Sequence, residues 1–184
     1  MIEYSDEVMR EKVLFMTRLL EDTFQTKMLS HRAGRWAFDS RYAKLLIELG
    51  YQVDCSVTPR VNWRNAKGAP QGNGGTNYQH FPEQAYFLDV NDISRPGDSP
   101  LLEVPMSIQY KHPGWLNVVK QSYDRLRGKY RSPSVNWLRP SGGNAAQMIQ
   151  VAQQSLSQGN DYVEFMLHSS EFMPGGSPTF KDAE

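Results

Sequence analysis

The feature that most constrains this chain is an alternation of helical and strand patterns over its first third. Met9, Val13, Met16, Leu20 and Phe24 recur at helical spacing, and Val8, Phe15 and Leu19 widen the stripe. That periodicity predicts a helix from about Ser5 to Phe24. Ser5 is its expected N-cap, and Asp6 and Glu7 suit the positive end of the helix dipole. Met28 to Ala33 has strand character and runs into a turn at Gly34-Arg35-Trp36. Asp39 is placed to cap a second helix, Ser40 to Leu49, with Tyr42, Leu45, Leu46 and Leu49 inward and Gly50 as its stop. Tyr51 to Val57 is the next strand. Helix, strand, helix, strand with short connections is the signature of an α/β fold with parallel strands.

From Thr58 to Pro100 the pattern breaks. Gly68, Gly72, Gly74 and Gly75 fall among Pro70, Gln71, Asn73 and Asn77 in a long loop, a type usually functional or disordered. Trp63, Tyr78, Tyr86 and Phe87 lie among Asn, Gln and Asp. Such a mixture suits a sugar ring, whose C–H face rests on an aromatic while its hydroxyls find polar partners; equally, the aromatics pin the loop to the body. Tyr86 to Val90 forms a short strand within this region. Leu101 to Ile108 is a further strand, with Pro105 marking an edge or bulge.

Trp115 to Tyr130 is helical in pattern, with Lys129 and Arg131 at its end. Val135 to Leu138 is a brief strand. Asn144 is the expected N-cap of a helix from Ala145 to Ser157. Ser141-Gly142-Gly143 precedes that helix, but no Lys-Ser/Thr follows, which rules out a P-loop. Tyr162 to Leu167 is a near-continuous apolar run, as in a strand covered on both faces. It ends in His168-Ser169-Ser170-Glu171 and a loop, Pro174 to Pro178. The C-terminal ends of parallel strands are where α/β folds build sites.

The chain has 184 residues, the size of one domain, here 1–184. Lys plus Arg and Asp plus Glu are each 20, so nothing in the charge balance favours nucleic acid or an anionic membrane. Cys55 is the single cysteine, which excludes an intrachain disulfide and a cysteine-based metal site, and its apolar surroundings predict a buried thiol. No apolar run approaches the roughly 18 residues a membrane helix requires. The amino terminus is not patterned as a secretory signal, so the expectation is a cytoplasmic protein.

Three residues carry chemistry on residue type alone. Arg32 and Arg35 bracket the first strand-end turn; they are either a solvated pair or held against a carboxylate. His168 follows the last apolar run, as a site residue or as a histidine satisfied by backbone.

The run SHRAGRWAFDSRYAKLLIELGYQVDCSVTP, Ser30 to Pro59, resembles the arginine motif and following βα unit of NodB-type polysaccharide deacetylases. LLEVPMSI and FMLHSSEFMPGGSP resemble later strands of the same family, in the branch linked to lipopolysaccharide and cell-envelope biosynthesis. The resemblance spans about Ser30 to Phe180. It implies a partial or distorted (β/α) barrel with a long inserted loop. It also implies a hydrolase that removes N- or O-acetyl groups from polysaccharide with a divalent metal, commonly zinc. Arg32 matches the arginine that orients the family's catalytic base, and His168 its general acid. Arg35, Trp36, Trp63 and Glu171 fall where substrate is contacted. Asn62 stands where the family often has an aspartate before the tryptophan. The family's Asp-Asp pair and His-x-x-x-His are not found upstream of Arg32, so no metal ligands are assigned, and the expectation is a chain lacking the amino-terminal part of such a domain. The implied partner is carbohydrate. A non-catalytic carbohydrate-binding or scaffold relative is the alternative, and a half-covered sheet would favour a homo-oligomer.

Overall fold

The structure, a computed structural model, describes residues 1–112, 114–126 and 134–177. Its contacts gather into two compact units, Met1–Pro105 and Met106–Glu184. The sequence expectations for Lys129, Tyr130 and Arg131, and for Pro178 to Phe180, lie outside the described residues.

The first unit opens with helix α1, Asp6–Phe24, capped by Ser5, whose side chain accepts from the Val8 N–H. The buried face of α1 is Met9, Val13 and Thr17. Met16 and Phe24, expected on the inner stripe, are exposed. The reason lies at Thr17, whose hydroxyl meets Val13 O and Tyr51 OH, both at 2.8 Å, and turns a polar residue inward. Strand β1, Ser30–His31, leads through a 3-10 turn, Gly34–Trp36, to α2, Ser40–Glu48. Asp39 caps α2 as expected, accepting from the Tyr42 N–H at 2.9 Å. Strand β2, Val53–Asp54, follows.

β1 and β2 pair in parallel, and β2 pairs in parallel with β4, Leu102–Glu103. β3, Tyr86–Phe87, joins antiparallel at the edge, giving the order β1-β2-β4-β3. The ladders are short because the Ser56 and Val57 N–H groups beyond β2 donate to the Asp54 and Glu103 side chains instead. Phe38, Ala43, Leu46, Leu88 and Leu101 are fully buried in the core of this unit.

In the second unit, β5, Ile108–Tyr110, pairs antiparallel with β6, Val135–Trp137. Helix α3, Gly114–Leu126, lies between them in sequence, and α4, Ala145–Ser157, packs on both strands. The expected single strand Leu101 to Ile108 is therefore two strands, β4 and β5. They part around Pro105, which cannot donate to a ladder.

Asn144 does not cap α4 with its side chain. Its Oδ1 accepts from the Ser141 N–H at 2.9 Å and its Nδ2 donates to Arg139 O at 2.8 Å, so it staples the preceding turn instead. Tyr162 to Leu167 is not a laddered strand covered on both faces. It is extended chain in which Tyr162, Glu164 and Met166 are the better covered positions and Val163 and Phe165 are exposed. Met166 N–H donates to Leu138 O, and Glu164 N–H to Ser107 Oγ.

Candidate functional site

The carboxyl-terminal ends of the parallel strands β1, β2 and β4 converge on a buried polar cluster. Asp54 and Glu103 occupy paired register positions on adjacent strands, and both are 0% exposed. Asp54 is the hub. Its Oδ1 lies 2.6 Å from His31 Nδ1 and accepts from Ser56 Oγ at 2.9 Å, and its Oδ2 accepts from the Ser56 N–H at 2.9 Å. His31 Nε2 stands 2.9 Å from Tyr42 OH. A tautomer with hydrogen on Nδ1 satisfies both contacts: the ring donates to Asp54 and accepts from Tyr42. Burial, then Asp54, hold the Tyr42 hydroxyl well above its ordinary pKa, which keeps it a donor.

Glu103 Oε1 accepts from the Val57 N–H at 2.8 Å, whereas Oε2 has no hydrogen-bond donor. The group Glu103 meets is another acceptor, the Asp54 carboxylate. Burial, reinforced by Asp54, pushes the Glu103 carboxyl well above the usual carboxylate range.

Arg32 leaves the end of β1 from between two residues tied into this cluster. His31 is held by Asp54 through its ring, and its carbonyl accepts from the Cys55 N–H at 2.9 Å. On the other side, the Ala33 N–H donates to Ser56 Oγ at 2.8 Å, and Ser56 is itself bound to Asp54. The Arg32 guanidinium is exposed and lies 5.6 Å from the Trp36 ring centroid, a cation–π contact. Arg35 and Trp36 are both left-handed, with φ of 58° and 57°. Two consecutive non-glycine residues in that region store strain of the kind that clusters at functional sites.

The glycine-rich loop is a folded hairpin. Asn62 bridges Asn77, the Trp63 N–H donates to Thr76 O, and the Gly75 N–H donates to Trp63 O. Gly74 has φ +83°, and a Cβ there would stand 1.8 Å from Arg64 O. The glycines at 68 and 72 admit the Glu3 carboxylate, which accepts from the Gly74 N–H at 3.1 Å. Trp63 donates from Nε1 to Thr58 Oγ1 at 2.8 Å, and Arg35 donates to Lys67 O at 3.3 Å. Tyr78 and Tyr86 pin the region: both rings are buried, with hydroxyls donating to Trp36 O and Ile93 O, each at 2.7 Å. Arg60 closes the loop base with a two-pronged pair to Glu83 at 3.0 and 2.6 Å. Arg32, Arg35, Trp36 and Trp63 thus all stand in the loops that follow β1 and β2 of the first unit.

His168 and Glu171 belong to the second unit. His168 is exposed and precedes a 3-10 turn, Ser169–Phe172. Its N–H donates to Glu171 Oε2 at 2.8 Å, and Arg139 Nη2 donates to Glu171 Oε1 at 3.1 Å. The His168 N–H, and with it Arg139, hold the Glu171 carboxyl below its ordinary pKa. Glu171 therefore braces the turn that presents His168.

Among the described residues, no three His, Cys, Asp or Glu side chains gather as a metal-binding set. His31 and Asp54 are committed to one another, to Tyr42 and to Ser56. Among the described residues, this cluster, with its donors already engaged, does not fit zinc. None of the described helices is long and apolar enough to cross a membrane.

His31, Asp54, Ser56 and Glu103 carry no role in the sequence reading. The signal available for two of them is an acid set in each of two short apolar segments, Tyr51 to Val57 and Leu101 to Ile108. Comparison with family models, curated proteins and solved structures returns no match.

Proposed function

We propose that this chain is a polysaccharide-deacetylase-like hydrolase unit that acts on N- or O-acetylated carbohydrate of the cell envelope. The observation that carries this reading is Arg32, set at the end of a parallel strand, clamped on both sides and lying over Trp36. Parallel β1, α2, β2 and β4 are compatible with part of a distorted (β/α) barrel.

In this reading Arg32 orients an acidic group at the reacting centre, and Trp36, Arg35 and Trp63 contact sugar. In the second unit, His168, braced by Glu171 and Arg139, is the residue to which the family resemblance gives the role of proton donor to a departing amine or alkoxide. Divalent-metal chemistry is what the family resemblance would add, and none of it is assigned to these residues. The test is acetate release from acetylated chito-oligosaccharide and from O-acetylated polysaccharide, with and without zinc. Release that falls at least tenfold in Arg32→Ala and His168→Ala supports the reading. No release, or full release by His168→Ala, overturns it.

A second reading is a non-catalytic carbohydrate-binding unit. The observation favouring it is the Arg32–Trp36 cation–π contact in the loop after β1, with Trp63 held by Thr58 in the loop after β2. Glycan binding that persists with chelator and in His168→Ala, without acetate release, selects it.

A further inference from the structure

We propose that Asp54 and Glu103 share a single proton, and that this acid pair positions Arg32. The second half rests on the role given to Arg32 above; the first half stands without it.

Parallel pairing puts Asp54 of β2 beside Glu103 of β4, so two carboxyls meet in a space that holds no water-exposed surface. Three of their four oxygens are satisfied. Asp54 Oδ1 and Oδ2 accept from His31 and Ser56, and Glu103 Oε1 accepts from Val57. The fourth, Glu103 Oε2, has no donor and is fully enclosed. An orphaned buried acceptor facing a carboxylate is costly, and one hydrogen placed between the two groups removes the cost. Each carboxyl is then used: one donates the shared hydrogen, the other accepts it.

The ionisable groups acting on Glu103 come from every neighbouring element. Asp54 and Cys55 lie on and after β2, Tyr86 on β3, and Tyr78 in the hairpin loop. His31 of β1 and Tyr42 of α2 reach it through Asp54. None of these is a lysine or an arginine, so no fixed cation draws the proton away.

The pair is coupled to Arg32 by a short path. Asp54 binds the ring of His31, the residue before Arg32, and orders Ser56, whose Oγ accepts from the residue after it, Ala33. If the shared hydrogen is lost, two anions face each other at the base of this clamp. Asp54 is displaced or its partners reorganise, and the backbone on both sides of Arg32 moves with it.

The test uses the full chain. Infrared difference spectra at neutral pH should show a protonated-carboxyl carbonyl stretch that disappears in Glu103→Gln. Glutamine keeps a donor toward Asp54, so this variant should fold. Asp54→Asn, which donates to Glu103 instead, should lose the same band. The side-chain Nε–H resonance of Arg32, assigned with Arg32→Lys, should shift as pH is raised in the native protein and stay fixed in Glu103→Gln. A wild-type spectrum without the band, or one unchanged in both variants, overturns the shared proton. An Arg32 resonance whose pH response is the same in Glu103→Gln overturns the positioning role. A chain that releases no acetate but shows both signals disproves the hydrolase reading and leaves this one standing.

Discussion

Asp54 and Glu103 stand side by side on adjacent parallel strands, both fully buried. Sheets usually place apolar side chains at such a register pair. Here the pair closes a network that joins three strand ends, β1, β2 and β4, and α2 through Tyr42.

Glu103 makes stability fall with rising pH. Its folded pKa is raised above the ordinary glutamate value of 4.5. The folded chain therefore holds the proton after the unfolded chain has released it, and stability declines from that ordinary value up to the folded pKa. Below it the contribution is complete. Urea unfolding at stepped pH should show this decline in the native protein and a flatter profile in Glu103→Gln.

Removing the hub should cost more than changing its neighbour. Asp54→Ala strands His31 Nδ1 and the Ser56 N–H in a buried site, and the expected loss is about 3–5 kcal/mol. Glu103→Gln should stay within about 1.5 kcal/mol, since an amide replaces the acid with its shape and one donor kept. Chemical denaturation of both variants checks the order.

Gly74→Ala tests the hairpin. The residue must keep φ +83° while its Cβ approaches Arg64 O, so the loop shifts or strains by about 1–3 kcal/mol. The Trp63 Nε1–H donates to Thr58 at the base of the same loop. Its indole resonance should move in Gly74→Ala and hold in Gly143→Ala, which shares a positive φ (+97°) but whose Cβ meets nothing within 4 Å.

The brace beneath His168 has the opposite pH sense. Glu171 is depressed below its ordinary 4.5, so its contribution is present above that value and is lost as pH falls through the folded pKa. The protection factor of the His168 amide, corrected for the intrinsic exchange rate at each pH, should fall on acidification, and in Glu171→Gln it should be lower already at neutral pH. Arg139→Ala should give a smaller effect, since the backbone N–H contact to Oε2 survives.

The capped helices were the most legible elements. Asp39 before Ser40 and Ser5 before Asp6 both cap, because an N-cap depends on residues within one turn. The strands were less so. Tyr51 to Val57 and Leu101 to Ile108 each contain only a short ladder, since side chains of Asp54 and Glu103 take over the hydrogen bonding. Those acids are not legible as site residues for a related reason. A carboxyl in an apolar run gains its meaning only from the register partner, and register is a tertiary property. Asn144 shows the same limit: its capping residue type is right, yet its side chain serves the preceding turn. At the other extreme, Arg32 and Trp36 are four residues apart, and their contact needs only the local turn.

Cys55, the only cysteine in the chain, is partly exposed and follows Asp54 directly. Thiol chemistry therefore has a single address on this molecule, beside the acid pair. A fluorophore or spin label coupled there would mark one defined position without any engineered substitution, and its spectrum during an alkaline titration would register movement at the base of the sheet in real time.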